Sequence, residues 1–116
     1  MSLEAVMEEL KKDYIESLST KKTDIEERFA SQDIQGLREV FHKLKGTGAT
    51  YGVPEISLLG GVVEKLCDKS SSDLTWVIPE IIVLLQKIQA CHRQKQQFDI
   101  EAYSAFKKIR SLVQDN

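Results

Sequence analysis

The residues best suited to chemistry lie between Arg38 and Gly52, in the run R-E-V-F-H-K-L-K-G-T-G-A-T-Y-G. Ile34, Leu37, Phe41, Leu44 and Tyr51 recur at helical spacing, so the run belongs on a helix with one apolar face. At about 100° per residue, His42 falls roughly 130° from the centre of that face and points to solvent in mid-helix. Arg38, Lys45 and Gly46 stand one turn from it, and Ala49 two turns on. A glycine inside a surface helix costs about 1 kcal/mol relative to alanine. Its missing side chain clears room for another protein to reach the imidazole. Neutral imidazole is a nitrogen nucleophile available near neutral pH. Its attack on a phosphoryl group would give a phosphohistidine, with Arg38 and Lys45 supplying positive charge and Lys45 stabilising the phosphoryl oxygens. From spacing alone, a solvated histidine beside an incidental glycine fits as well.

The elements that must hold these residues read as helices throughout. Leu3, Val6, Met7, Leu10, Tyr14 and Leu18 recur at three and four. The polar stretch Ser19–Thr23 interrupts them, and Thr23 with Glu26 has capping-box spacing, which predicts a new helix carrying Ile25 and Phe29. Asp33 is the expected N-cap of the His42 helix, which should end near Gly52, with Pro54 opening its successor. That successor carries Ile56, Leu59, Val63 and Leu66 and stops before Ser70-Ser71-Ser72. A long apolar helix follows with Ile78, Ile82, Leu85 and Ile88. Pro79 disfavours helical geometry at Ile78, so its regular part is expected to start at the proline. Asp99 can cap a last helix with Tyr103, Phe106, Ile109 and Val113, Phe98 and Tyr103 forming a hydrophobic staple. The expected fold is all-α, an antiparallel four-helix bundle with an additional terminal helix or helices. One domain is expected over 1–116, with its core at roughly 5–93 and the extra helix at roughly 99–114.

If the chain reverses near position 53, antiparallel packing pairs positions whose numbers sum to about 106. His42 then lies level with Glu64, Gly60 opposite Gly46 and Gly61 opposite Lys45. A carboxylate at Glu64 could accept a hydrogen bond from His42 Nδ1, fixing the tautomer and leaving Nε2 as the nucleophile. An ordinary helix-surface glutamate remains the other reading. His92 ends a helix, where a cation favours the dipole. Cys67 and Cys91 read as small apolar residues, and Trp76 and Pro79 as packing at the entry of the long helix.

Composition excludes several classes. The 116 residues carry 16 basic and 18 acidic side chains, for a net charge of −2, which leaves no broad basic footprint for nucleic acid. The longest apolar run, Ile81–Leu85, is far short of the roughly 20 residues of a membrane span. No secretory signal opens the chain, and two cysteines make no disulfide scaffold. A cytoplasmic location is expected. Zinc-type Cys/His spacing, a Walker A loop and GxSxG are all missing from the sequence, so neither a self-contained hydrolase nor a nucleotide-hydrolysing enzyme is expected.

The run His42-Lys43-Leu44-Lys45-Gly46-Thr47, then Gly48-Ala49, then Gly52, resembles the signature of histidine-containing phosphotransfer (HPt) domains, the relay modules of multistep two-component signalling. The pattern is H-x-L-K-G, a serine or threonine, two small residues, two variable positions and a glycine, and every fixed position is matched. The resemblance covers roughly residues 5–93. It implies that His42 carries the phosphoryl group, that Lys45 contacts it and that Gly46 allows docking. Glu64 is similar to the glutamate that orients the histidine in the phosphotransfer domain of chemotaxis kinases. The implied function is a phosphocarrier that takes a phosphoryl group from one receiver-domain aspartate and passes it to another. The implied partners are receiver domains and a histidine or hybrid kinase. The magnesium belongs to the receiver, so no cofactor or metal is expected in this chain. A monomer is expected, with no nucleic acid and no membrane among its partners. The alternatives are the substrate domain of a chemotaxis-type kinase and a non-catalytic helical adaptor. An intact His42 with Lys45 and Gly46 argues against the adaptor.

Overall fold

The computed structural model of the protein describes residues 2–69 and 71–114; positions 1, 70, 115 and 116 of the expected domain lie outside them. Five α-helices and two short 3-10 turns follow one another, and no strand occurs among the described residues. The helices are α1 (Leu3–Ala30), α2 (Ile34–Thr47), α3 (Pro54–Lys69), α4 (Leu74–Arg93) and α5 (Ser104–Ser111). α1 packs on α2 and α4, α2 packs along α3, and α5 lies against α3. α1 to α4 form the antiparallel bundle expected from the sequence, with α5 as the additional helix.

α1 is a single helix, not two. Ser2 caps it, its Oγ accepting from Ala5 N at 3.1 Å. Thr23 starts nothing new: its hydroxyl donates back to the Ser19 carbonyl at 3.2 Å, inside the helix. Leu18 and Ile25, seven residues apart, are both buried and carry the helix across the polar stretch on the bundle side. From α4, the Gln89 side-chain amide donates to Ile15 O at 3.0 Å and to Ser19 Oγ at 2.9 Å. At the other end, Leu3, Val6, Met7 and Leu10 remain exposed, and the core begins at Tyr14.

Asp33 caps α2 as expected, with Oδ1 accepting from Gly36 N at 2.9 Å. Leu37, Val40, Phe41 and Leu44 are buried beneath the helix. α2 ends at Thr47, one turn earlier than the sequence suggests, and turns lead on to Gly52. The cause is close packing. A methyl group on Gly48 would meet Ser57 N at 2.5 Å and Val53 O at 2.9 Å. The Ala49 N–H is taken by Ser57 Oγ at 2.7 Å, outside the helical ladder. Gly52 then adopts a φ of 82°, open to glycine without strain, and Pro54 is the first residue of α3.

α4 also departs from expectation, beginning at Leu74 and running through Pro79. Leu74, Val77 and Ile78 are buried and hold its first turns on the core, which outweighs the local preference against helix before proline. Pro79 itself is exposed, so it does not pack the helix entry. Trp76 does, half-buried with Nε1 donating to Asp73 Oδ1 at 3.0 Å. The segment Ser71–Arg93 is long and apolar enough to cross a membrane by length and composition, despite its short uninterrupted run. In the bundle its Ile81, Leu84, Leu85 and Ile88 line the core. Asp99 caps a 3-10 turn (Ile100–Ala102), not α5. Phe98 and Tyr103 stack at 4.8 Å, and Phe106 and Ile109 seat α5 in the core. Val113 follows the helix and packs, partly buried, against the core.

Candidate functional site

His42 projects from the middle of α2, away from Phe41 and Leu44, with 64% of its side chain exposed. Glu64 reaches it from α3, its Oε1 3.0 Å from His42 Nδ1. Its side chain is only 10% exposed. The reason lies one turn earlier on α3. A methyl group on Gly60 would sit 2.6 Å from Lys45 N and 2.7 Å from Phe41 O, so the two backbones touch there. Such contact brings the next turn of α3 beneath the imidazole. Against a carboxylate, Nδ1 must carry the proton, and Nε2 is left with its lone pair toward solvent.

Two cations share the same carboxylate. Arg38 Nη2 lies 3.5 Å from Glu64 Oε1, and Lys45 Nζ lies 3.8 Å from Oε2. The Lys45 distance is too long for a hydrogen bond, and Oε2, though buried, accepts none. The stem of Lys45 runs over Gly61, where a methyl group would meet its carbons at ordinary contact distances of 3.6–4.0 Å. Lys45 is therefore drawn toward Glu64 without being locked to it. Arg38 is held more firmly, with Nε donating to Asp68 Oδ1 at 2.8 Å. That hydrogen bond raises the guanidinium above its usual range.

Gly46 is exposed, and a methyl group built there would meet nothing within 4 Å. The approach to His42 over this turn is open. Ala49 is exposed too, but it sits in the turn after α2 rather than on the helix two turns from His42. The structure thus gathers His42, Arg38 and Lys45 around the Glu64 carboxylate, with Gly46 beside them and Ala49 past the helix end.

Asp68 is a member of this cluster that the sequence reading passed over. The register that sets Glu64 opposite His42 also sets Asp68 opposite Arg38, so the signal was present. His92 is more than the helix-end cation its position suggests: its Nε2 lies 3.1 Å from Glu55 Oε2, with both side chains nearly buried. That pair ties the end of α4 to the start of α3, and nothing short of the tertiary register announces it. Thr47 of the motif meets Tyr14: the hydroxyls are 2.9 Å apart, and burial raises the Tyr14 phenol. Cys67 is buried one turn beyond Glu64, where burial first and nearby Asp68 next push its thiol up to about 11. It is no nucleophile at neutral pH. Among the described residues no group of three or more His, Cys, Asp or Glu is placed to hold a metal ion.

The model of the Hpt domain family matches residues 9–97, most of the chain. The chain belongs to the Hpt domain family. No match was found among curated proteins or among solved structures. Hpt domains are phosphocarriers without catalytic activity of their own, and they serve histidine phosphotransfer in phosphorelays together with receiver domains and kinases. The matched region takes in α2, α3, α4 and most of α1; α5 lies beyond it.

Proposed function

We propose that this Hpt domain accepts a phosphoryl group on His42 Nε2 from a receiver-domain aspartate and passes it to a second receiver. The observation that carries this reading is the exposed imidazole held through Nδ1 by the buried Glu64. In the forward step the Nε2 lone pair attacks phosphorus and the P–O bond to the aspartyl carboxylate breaks, releasing that carboxylate. The ring keeps its Nδ1 proton and gains positive charge, which Glu64 balances. In the onward step a receiver carboxylate attacks phosphorus, the N–P bond breaks and neutral imidazole returns. Lys45 turns from Glu64 toward the phosphoryl oxygens, Arg38 keeps Glu64 in place through Asp68, and Gly46 admits the receiver. Ala49 lies at the margin of the same docking face. The chain acts as a carrier, not a kinase, because the donor's acyl phosphate supplies the driving force. A monomeric domain in the cytoplasm fits this role, whether it stands alone or belongs to a hybrid kinase.

The test mixes the protein with a receiver preloaded by acetyl phosphate and, separately, with an ATP-bound histidine kinase domain. Acid-labile, alkali-stable label from the receiver is expected, and His42→Gln should fold but take none. Label on His92, or label retained by His42→Gln, would end this reading. Label from the kinase domain alone would assign the protein to the chemotaxis type, and no label from either source would leave a helical adaptor.

A further inference from the structure

Beside Lys45, between α3 and the C-terminal segment, lies an open groove of about 640 Å³. One wall is α3, with Leu58, Val62 and Lys65; the other is the C-terminal segment, with Arg110 and Val113. Lys45, whose Nζ lies 3.8 Å from the Glu64 carboxylate beside His42, also lines the groove. Three cations and no Asp or Glu line it. Arg110 is positioned rather than loose, with Nη1 donating to Glu101 at 2.6 Å and its guanidinium 5.4 Å from the centre of the Phe106 ring. Phe106 and Ile109, fully buried, fix α5 so that this wall is part of the folded domain. Yet the whole C-terminal wall falls outside residues 9–97, the part matched by the family.

We infer that this groove is the docking site for an acidic surface segment of the receiver that exchanges phosphoryl groups with His42. The inference rests on the phosphocarrier reading above and adds the partner contact that the C-terminal segment contributes. Two observations carry it. The groove is continuous with the His42 site, because Lys45 belongs to both. Its cations are complementary to an acidic segment bordering the receiver's aspartyl phosphate, which itself must face His42. Leu58 and Val113 add apolar surface to the two walls of the cationic groove, the mixture found where charge steers and apolar area holds.

The experiment compares two donors for the same histidine. Phosphoramidate is a small molecule whose P–N bond breaks as the Nε2–P bond forms, with ammonia leaving, and it needs no docking surface. A phosphorylated receiver needs one. The variants are Lys65→Gln, Arg110→Gln and their combination, with Lys107→Gln, exposed on α5 outside the groove, as a control matched in charge to each single variant. At low salt the double variant should transfer from the receiver about tenfold more slowly than wild type, relative to its phosphoramidate rate. The control should show no fall. At about 0.5 M salt, where screening shortens the reach of these charges, the gap should close. An unchanged ratio, an equal fall in Lys107→Gln, or a fall that salt does not relieve would overturn the groove. Failure of wild-type His42 to take label from either donor would instead overturn the phosphocarrier reading, and the groove with it.

Discussion

Gly46 and Gly60 face opposite demands, although both sit beside the same histidine. A methyl group on Gly46 meets open space, so Gly46→Ala should raise stability by up to about 1 kcal/mol in urea unfolding. The larger Gly46→Gln should fold equally well yet slow transfer from a receiver at least tenfold, because its side chain would stand over the imidazole; an unchanged rate would mean that the partner approaches elsewhere. On Gly60 the methyl group would strike the Lys45 and Phe41 backbones, which cannot yield as a flexible side chain could. Gly60→Ala should cost about 1–3 kcal/mol and loosen the Glu64–His42 contact. Lys45 is half-exposed and makes no hydrogen bond to Glu64, so on the proposed function its part is in the chemistry rather than the fold. A charge-assisted contact to phosphoryl oxygen contributes about 1.5–3 kcal/mol. Lys45→Ala should therefore slow transfer by about one to two powers of ten, with little change in a thermal melt. A large fall in melting temperature at an unchanged rate would assign the lysine to the fold instead.

At the scale of helices, α4 carries a cost that its packing hides. Pro79 is its sixth residue, so the missing N–H falls where the Thr75 carbonyl needs a donor. Proline is about 3 kcal/mol worse than alanine in a helix interior, offset by up to about 1 kcal/mol from the stiffer unfolded chain. Since Pro79 is exposed, Pro79→Ala should stabilise the protein by about 1–2 kcal/mol, read from the urea midpoint at constant slope. No gain would mean that the helix already bends to meet the proline. The other helices show what the sequence can and cannot reveal. The α2–α3 pair was legible because a short reversal fixes its register, and Glu64 followed from counting. The continuity of α1 was not legible. Ser19–Thr23 looks like a break when read locally, and Gln89, which bonds across it, lies some seventy residues away. Apolar spacing likewise marked Leu3 to Leu10 as a stripe, but whether a stripe is covered depends on where the neighbouring helices end.

Across the whole molecule, two links close the bundle far from His42. Arg93 makes a paired contact with Glu16, both at 2.8 Å, joining α4 to α1. That contact lies in solvent and should matter little. The buried His92–Glu55 pair differs, because removing either partner strands a polar group away from water. Glu55→Ala should lower stability by about 1–3 kcal/mol in urea unfolding while leaving the labelling of His42 intact. A fall in labelling without a fall in stability would give the second histidine a part in transfer that its burial argues against.

The contact between Gly60 and the α2 backbone also bears on the order of events during folding. From Arg38 to Asp68, every residue of the His42 cluster belongs to one hairpin closed by a short turn. Contacts so close in sequence lose little loop-closure entropy and tend to form early. The hairpin is then expected to be largely assembled at the folding transition state, with α1 and α4 docking onto it afterwards. In stopped-flow chevrons, Gly60→Ala should mainly slow refolding, whereas Glu55→Ala, at the late α3–α4 closure, should mainly speed unfolding. The reverse pattern would show that the long-range docking of α1 on α4 comes first and that the histidine site is finished last.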